Sequence, residues 1–127
     1  MPVVKSDYNE MSMIRNTRAV SWVKPALKDF EKFPKEAQDR ALTALTFVAE
    51  GLKPDIAKPL AGLGSGVWEL AIKSRGEAYR VVYVLQLGED IWVVHAFHKK
   101  SKSGIATPKP EIDLVRERIG RLKEQLR

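Results

Sequence analysis

Between Val67 and His98 the chain carries three apolar runs separated by two short polar turns, and no other stretch limits the fold so tightly. "VWELAIK" (67–73) alternates, with Trp68, Leu70 and Ile72 on one face and Val67, Glu69, Ala71 and Lys73 on the other. "SRGEA" turns the chain into "YRVVYVLQL", where Tyr79, Val81 and Tyr83 share one face and Arg80 and Val82 the other. "GED" turns it again into "IWVVHAFH" (91–98). Connections this short join antiparallel neighbours, so the three runs predict a β-meander.

The flanks are helical. "KPALKDFEKF" has Pro25 where a first helical turn tolerates it. "PKEAQDRALTALTFVAEG" opens on Pro34, repeats Ala41, Leu45 and Val48 at helical spacing, and stops at Gly51. Together these predict an N-terminal helical hairpin. "AVSWV" (19–23) is short and β-prone, and residues 52–66, with their prolines and glycines, read as a loop. From Glu111 a stripe of Ile112, Val115, Ile119, Leu122 and Leu126 marks a closing helix, whose simplest home is the chain's own core. The fold class expected is therefore α+β: a twisted antiparallel sheet with helices packed against it. Residues 1–18 show no clear period and read as a tail, leaving 19–127 as a single domain.

Charge is distributed unevenly. Residues 1–94 carry 13 Lys and Arg against 12 Asp and Glu, whereas residues 95–127 carry 9 against 4. A basic C-terminal quarter suits a polyanion, nucleic acid being the commonest, or is a solvated surface. No apolar run approaches the ~20 residues that span a bilayer, and the N-terminus lacks a charged-then-apolar leader pattern. With no cysteine there is no thiolate chemistry or disulfide framework, and the cytoplasm is the expected compartment.

The residues with chemistry gather where the third run meets "HKKSKSG". His95 and His98 lie three apart on a strand and so face opposite ways, which with no cysteine argues against a metal site. Either histidine can act as a general acid or base. His95, deeper in the apolar run, is equally a packed core residue, and His98 is the exposed candidate. Neighbouring lysines are expected to favour the neutral form of His98. Arg80 either clamps a phosphate bidentately or pairs with Glu69 or Glu77. Tyr79 and Tyr83 are packing residues, stacking platforms for bases or proton shuttles. Lys99, Lys100 and Lys102 form an exposed basic cluster. RNA cleavage by the neighbouring 2′-hydroxyl needs a base, an acid and positive charge over the phosphate, and it needs no metal.

The string "YRVVYVLQLGEDIWVVHAFHKKSKSGIATPKPEIDLVRERI" (79–119) resembles the phage-derived Gp49-like toxins of the RelE/ParE/HigB superfamily. "KPLAGLGSGVWEL" and "LKDFEKFPKEAQDRAL" extend the resemblance to roughly residues 20–125. It implies a RelE-like fold and the toxin of a type II toxin–antitoxin system. It also implies ribosome-dependent mRNA cleavage without a cofactor, and a helix-turn-helix antitoxin as partner. The positions that match the superfamily's catalytic and RNA-binding residues are Arg75, Arg80, His95, His98, Lys99, Lys100 and Lys102, with Tyr79 and Tyr83 nearby. Related toxins often carry Arg at the position of Ala71 and Gln at that of His98. ParE-like branches inhibit DNA gyrase instead of cutting RNA, and a basic nucleic-acid-binding prophage protein without toxicity is a third reading.

Overall fold

The computed structural model describes residues 17–100 and 106–127. The elements run β1 (Val20–Trp22), α1 (Lys24–Phe30), α2 (Lys35–Ala49), β2 (Ala57–Pro59), β3 (Val67–Ser74), β4 (Glu77–Val84), β5 (Ile91–Lys99) and α3 (Lys109–Gln125). The strands form one sheet in the order β1-β5-β4-β3-β2. The three predicted runs are its antiparallel centre. β3 and β4 are joined by Arg75 and Gly76, both with positive φ (54° and 81°), the geometry of a tight two-residue hairpin.

Two strands lie outside the predicted meander. β1 pairs parallel with β5, so the sheet is mixed and not purely antiparallel. β2 falls inside the predicted loop and pairs antiparallel with β3. It is only three residues long and ends in Pro59, which an edge strand tolerates because no neighbour needs its missing N–H. Arg18, the last residue of the predicted tail, is already tied down. Its guanidinium donates to the carbonyls of Leu85, Glu89 and Asp90, clamping the β4–β5 connection beside β1.

Both faces of the sheet are covered. α1 rests on β5 and α2 on β3, and Phe30, Ala41, Leu45 and Val48 pack against Leu70, Ile72, Val81, Tyr83 and Val93. On the opposite face α3 buries Val115, Ile119 and Leu122 against Val67, Val82, Val84 and Val94. The predicted stripe thus packs on the chain's own sheet, except that Leu126 is exposed.

A bulge in β5 decides which side chains face α3. Val82 pairs with His95 but Tyr83 with Val93, so Val94 is the extra residue. Val93 packs on the α1/α2 side, whereas Val94 packs on the α3 side and His95 bonds to α3 side chains. Beyond the bulge the alternation is therefore reversed. Phe97 and Lys99 join His95 on the α3 face, and Ala96 and His98 turn to the other.

Candidate functional site

Register gathers four cationic side chains, Lys58, Lys73, Arg80 and Lys99, on the α3 face of the sheet. Lys58, Glu69, Val82 and His95 stand in one row across β2 to β5. Ala71, Arg80 and Phe97 form the next row, and Lys73, Ala78 and Lys99 the one beyond. Ala78 keeps the floor low between Lys73 on β3 and Lys99 on β5, and Ala71 does the same beside Arg80. Lys73 is exposed and Lys58 half-buried, while Arg80 and Lys99 are only 5% and 6% exposed.

Arg80 is held by a neighbouring carboxylate. Its Nη1 donates to Glu69 Oε2 at 3.3 Å, and both side chains are buried. Thr107 completes the group: its hydroxyl donates to Glu69 Oε1 at 2.7 Å and receives a long contact of 3.5 Å from Arg80 Nη1. The partnership with Glu69 that sequence left open for Arg80 is formed. Thr107 lies just before α3, so the same contacts fasten the start of that helix to the sheet.

His95 is gripped from both sides by α3. Its Nε2 lies 2.6 Å from Glu111 Oε1, and its Nδ1 lies 3.1 Å from Arg118 Nη1, which also donates to the Val94 carbonyl. A guanidinium can only donate, so Nδ1 must accept and the ring proton must sit on Nε2, pointing at Glu111. Burial, joined by the Arg118 charge, holds His95 below the ordinary imidazole range, against the pull of Glu111. The result is a neutral imidazole of one defined tautomer. Phe97 stacks on it, with ring centroids 5.0 Å apart.

The remaining candidates lie elsewhere. His98 is on the α1/α2 face, stacked on Tyr79 at 4.6 Å and bonded through Nε2 to Glu77 at 2.7 Å. The described group bonded to it is thus a carboxylate, and Lys99, one of the expected lysines, points to the other face. Tyr79 is buried between His98 and Phe33, leaving no ring face open for a base to stack on. Tyr83 is 2% exposed in the core beneath α2, and burial pushes its phenol up to about 12. Arg75 is exposed at the hairpin tip, 3.9 Å from Glu36. Lys100 is exposed, whereas the burial of Lys99 departs from the solvated cluster expected. Lys102 lies outside the described residues.

One phosphodiester cannot contact Arg80 on one face and His98 on the other, so the predicted set does not converge. Arg80, His95 and Lys99 do share a face. In an antiparallel pair, residues on one face one step off register have Cα atoms about 7–8 Å apart, and both His95 and Lys99 stand in that relation to Arg80. Five further side chains that sequence reasoning did not select belong to this face: Lys58, Lys73, Thr107, Glu111 and Arg118. Lys73 was legible from its alternation with Glu69 and Ala71, and Glu111 and Arg118 from their spacing of two helical turns. Nothing local pointed to Lys58, which lay in a segment without a predicted strand. Among the described residues no group of three or more His, Asp or Glu side chains is placed to hold a metal ion, and no helix is long and apolar enough to cross a membrane.

The family described as phage-derived protein Gp49-like matches residues 28–120, from the middle of α1 into α3. Among solved structures, the chain is similar to a mutant of the E. coli toxin RelE in the free state. That likeness has 16% identity and a TM-score of 0.58, over 83% of this chain and 97% of that one. It is also similar to the toxin–antitoxin complex RelBE2 from Mycobacterium tuberculosis, with 23% identity over 67% of this chain and 94% of that one and a TM-score of 0.41. Among curated proteins none matches it. The RelE likeness bears out the expected RelE-like architecture.

Proposed function

The chain belongs to the phage-derived Gp49-like family, and on that footing we propose that it is the toxin of a type II toxin–antitoxin system and that it cuts mRNA on the ribosome. The observation that carries the reading is the α3 face of the sheet. There Lys58, Lys73, Arg80 and Lys99 stand on neighbouring strands above a floor lowered by two alanines. Cations fixed on strands suit a polyanion whose charge rises during reaction, because a dipole or charge already in position needs no reorganisation as the phosphorane forms. Arg80 and its lysine neighbours are the phosphate-binding groups in this reading, with Lys100 and Arg75 as outlying contacts to the RNA backbone. Cleavage proceeds by attack of the 2′-hydroxyl and draws on no cofactor. The partners are the ribosome with its mRNA and an antitoxin of the helix-turn-helix class, met in the cytoplasm.

One observation favours a second reading. Arg80 is already bound to Glu69 and Thr107, and His98 lies on the far face, so the same fold suits a binder that inhibits a target such as DNA gyrase without cutting RNA. Induced expression followed by mapping of RNA 5′ ends separates the two. Discrete cuts within translated codons, abolished by Arg80→Lys in a folded protein, are the expected result, because lysine cannot copy the guanidinium fork. Intact RNA with blocked DNA replication would establish the binder instead.

A further inference from the structure

We propose that Glu111 is the catalytic residue that takes the proton from the attacking 2′-hydroxyl, with His95 and Arg118 as the positioning residues that hold it. The inference rests on the nuclease reading above and supplies the base that reading lacks. The base must stand on the face of Arg80, which excludes His98. His95 is on the right face, but neither ring nitrogen is available: Nδ1 accepts from Arg118 and Nε2 gives its hydrogen to Glu111. Glu69 is on the right face too, and its carboxylate is buried and spent on Arg80 and Thr107. Glu111 is different. Its side chain is 30% exposed, only Oε1 is engaged by His95, and no described residue bonds to Oε2.

The geometry around Glu111 is that of a held base. Glu111 and Arg118 lie seven residues apart on α3, hence two turns apart on one side of the helix, and they bracket the His95 ring. Arg118 fixes the tautomer, and the tautomer aims an N–H at Glu111 Oε1, which holds the carboxylate in place. Thr107, four residues before Glu111 and just ahead of α3, anchors the start of that helix to Glu69 beside Arg80. Glu111 is thereby held at His95, which stands in the row next to Arg80. In the step itself the 2′-hydroxyl proton passes to Glu111 as the O2′–P bond forms. The P–O5′ bond breaks, and the leaving 5′-oxygen takes a proton from water. The products are a 2′,3′-cyclic phosphate and a 5′-hydroxyl end.

Glu111→Gln is the informative change, because the glutamine carbonyl still accepts from His95 Nε2–H while the amide cannot take a proton. On ribosomes carrying a defined mRNA, kcat should fall by about 10²–10⁴-fold, with KM and the melting temperature near those of wild type. Glu111→Asp is the second variant: it still ionises, and it should cut at least tenfold faster than the glutamine variant. Imidazole 15N spectra at neutral pH should show His95 protonated at Nε2 and bare at Nδ1 in both wild type and Glu111→Gln. An active wild type matched by an equally active Glu111→Gln overturns the role of Glu111 and leaves the nuclease reading standing. A wild type that cuts no ribosome-bound mRNA overturns both. A proton on Nδ1 overturns the assignment of His95 and Arg118 as positioning residues.

Discussion

Removing the carboxylate of Glu69 should cost more stability than any other single charge deletion on the α3 face. The Arg80–Glu69 pair is buried on both sides, at 6% and 3% side-chain exposure, so Glu69→Ala leaves the Arg80 charge in a site built around a carboxylate. Breaking such a pair from one side costs about 3–5 kcal/mol. The Thr107 hydroxyl also loses its 2.7 Å acceptor, but Thr107 is only half-buried and water can replace part of that bond. With unfolding entropy of about 2.1 cal/mol/K per residue, a chain of this length should lose roughly 10–20 °C in melting temperature. Urea denaturation followed by circular dichroism measures the free energy directly. The double change Glu69→Leu with Arg80→Met should recover most of the loss, since a matched apolar pair is often as stable as a buried ion pair. That double variant also separates the two roles of Arg80. Stable and inactive, it assigns Arg80 to the phosphate; stable and active, it makes Arg80 a structural partner only. A Glu69→Ala protein within about 1 kcal/mol of wild type would show that the pair is solvated and that the reasoning from burial is wrong.

The state of His95 gives a pH prediction. Its folded pKa is depressed, chiefly by burial, so below about pH 6.5 the unfolded chain takes up a proton that the fold resists, and stability falls as pH falls. Its contribution is fully present above that pH, and His95→Gln should flatten the decline between pH 7 and 5.5 in urea titrations; an unchanged slope refutes the assignment. Arg75 holds a positive φ of 54° at the hairpin tip. Arg75→Asn, which suits that turn before Gly76, should therefore raise stability by about 0.5–1 kcal/mol, and a lower midpoint would contradict the strain argument. Lys99 and Lys100 should part company. Lys100→Ala and Lys73→Ala should leave the melting temperature unchanged while weakening RNA binding and flattening its salt dependence, whereas Lys99→Ala, at a buried and engaged position, should also lower the melting temperature. Equal melting curves for Lys99→Ala and Lys100→Ala would refute that difference.

The centre of the fold was legible because its signals are local and repeated. Alternation in "VWELAIK" and "YRVVYV" set both faces of β3 and β4, and Pro34 and Gly51 bracket α2 within a residue or two. The edges were not legible, for a physical reason in each case. β2 is three residues ending in proline and gains its place from pairing with β3, a non-local contact that no propensity encodes. β1 is short enough to be β-prone in either orientation, and its parallel pairing with β5 is held by long-range contacts, among them Ser21 to Asp90 at 2.6 Å. Lys99 read as solvated because lysine runs usually are, whereas its place on β5 faces α3 and leaves it 6% exposed.

The site was half legible, and the missing half turns on one residue. Strict alternation from Ile91 would send His95, Phe97 and Lys99 to the α1/α2 side with Val93, and His98 to the α3 side with Arg80. On that arrangement Arg80 and His98 would be neighbours, and an exposed histidine beside an arginine would be the natural base. Val94 is inserted as a bulge and reverses the outcome. His95 turns toward α3, where an arginine fixes its tautomer and a glutamate receives its proton, and His98 turns toward Tyr79 and Glu77. A bulge of one valine among valines carries no sequence signal of its own, since Val93 and Val94 suit either face equally. Its consequence for chemistry is a change of class. An imidazole that exchanges protons near neutral pH is replaced by a carboxylate held by a neutral imidazole. The search for the base therefore moves from β5 to the first turn of α3, where the sequence placed only a hydrophobic stripe.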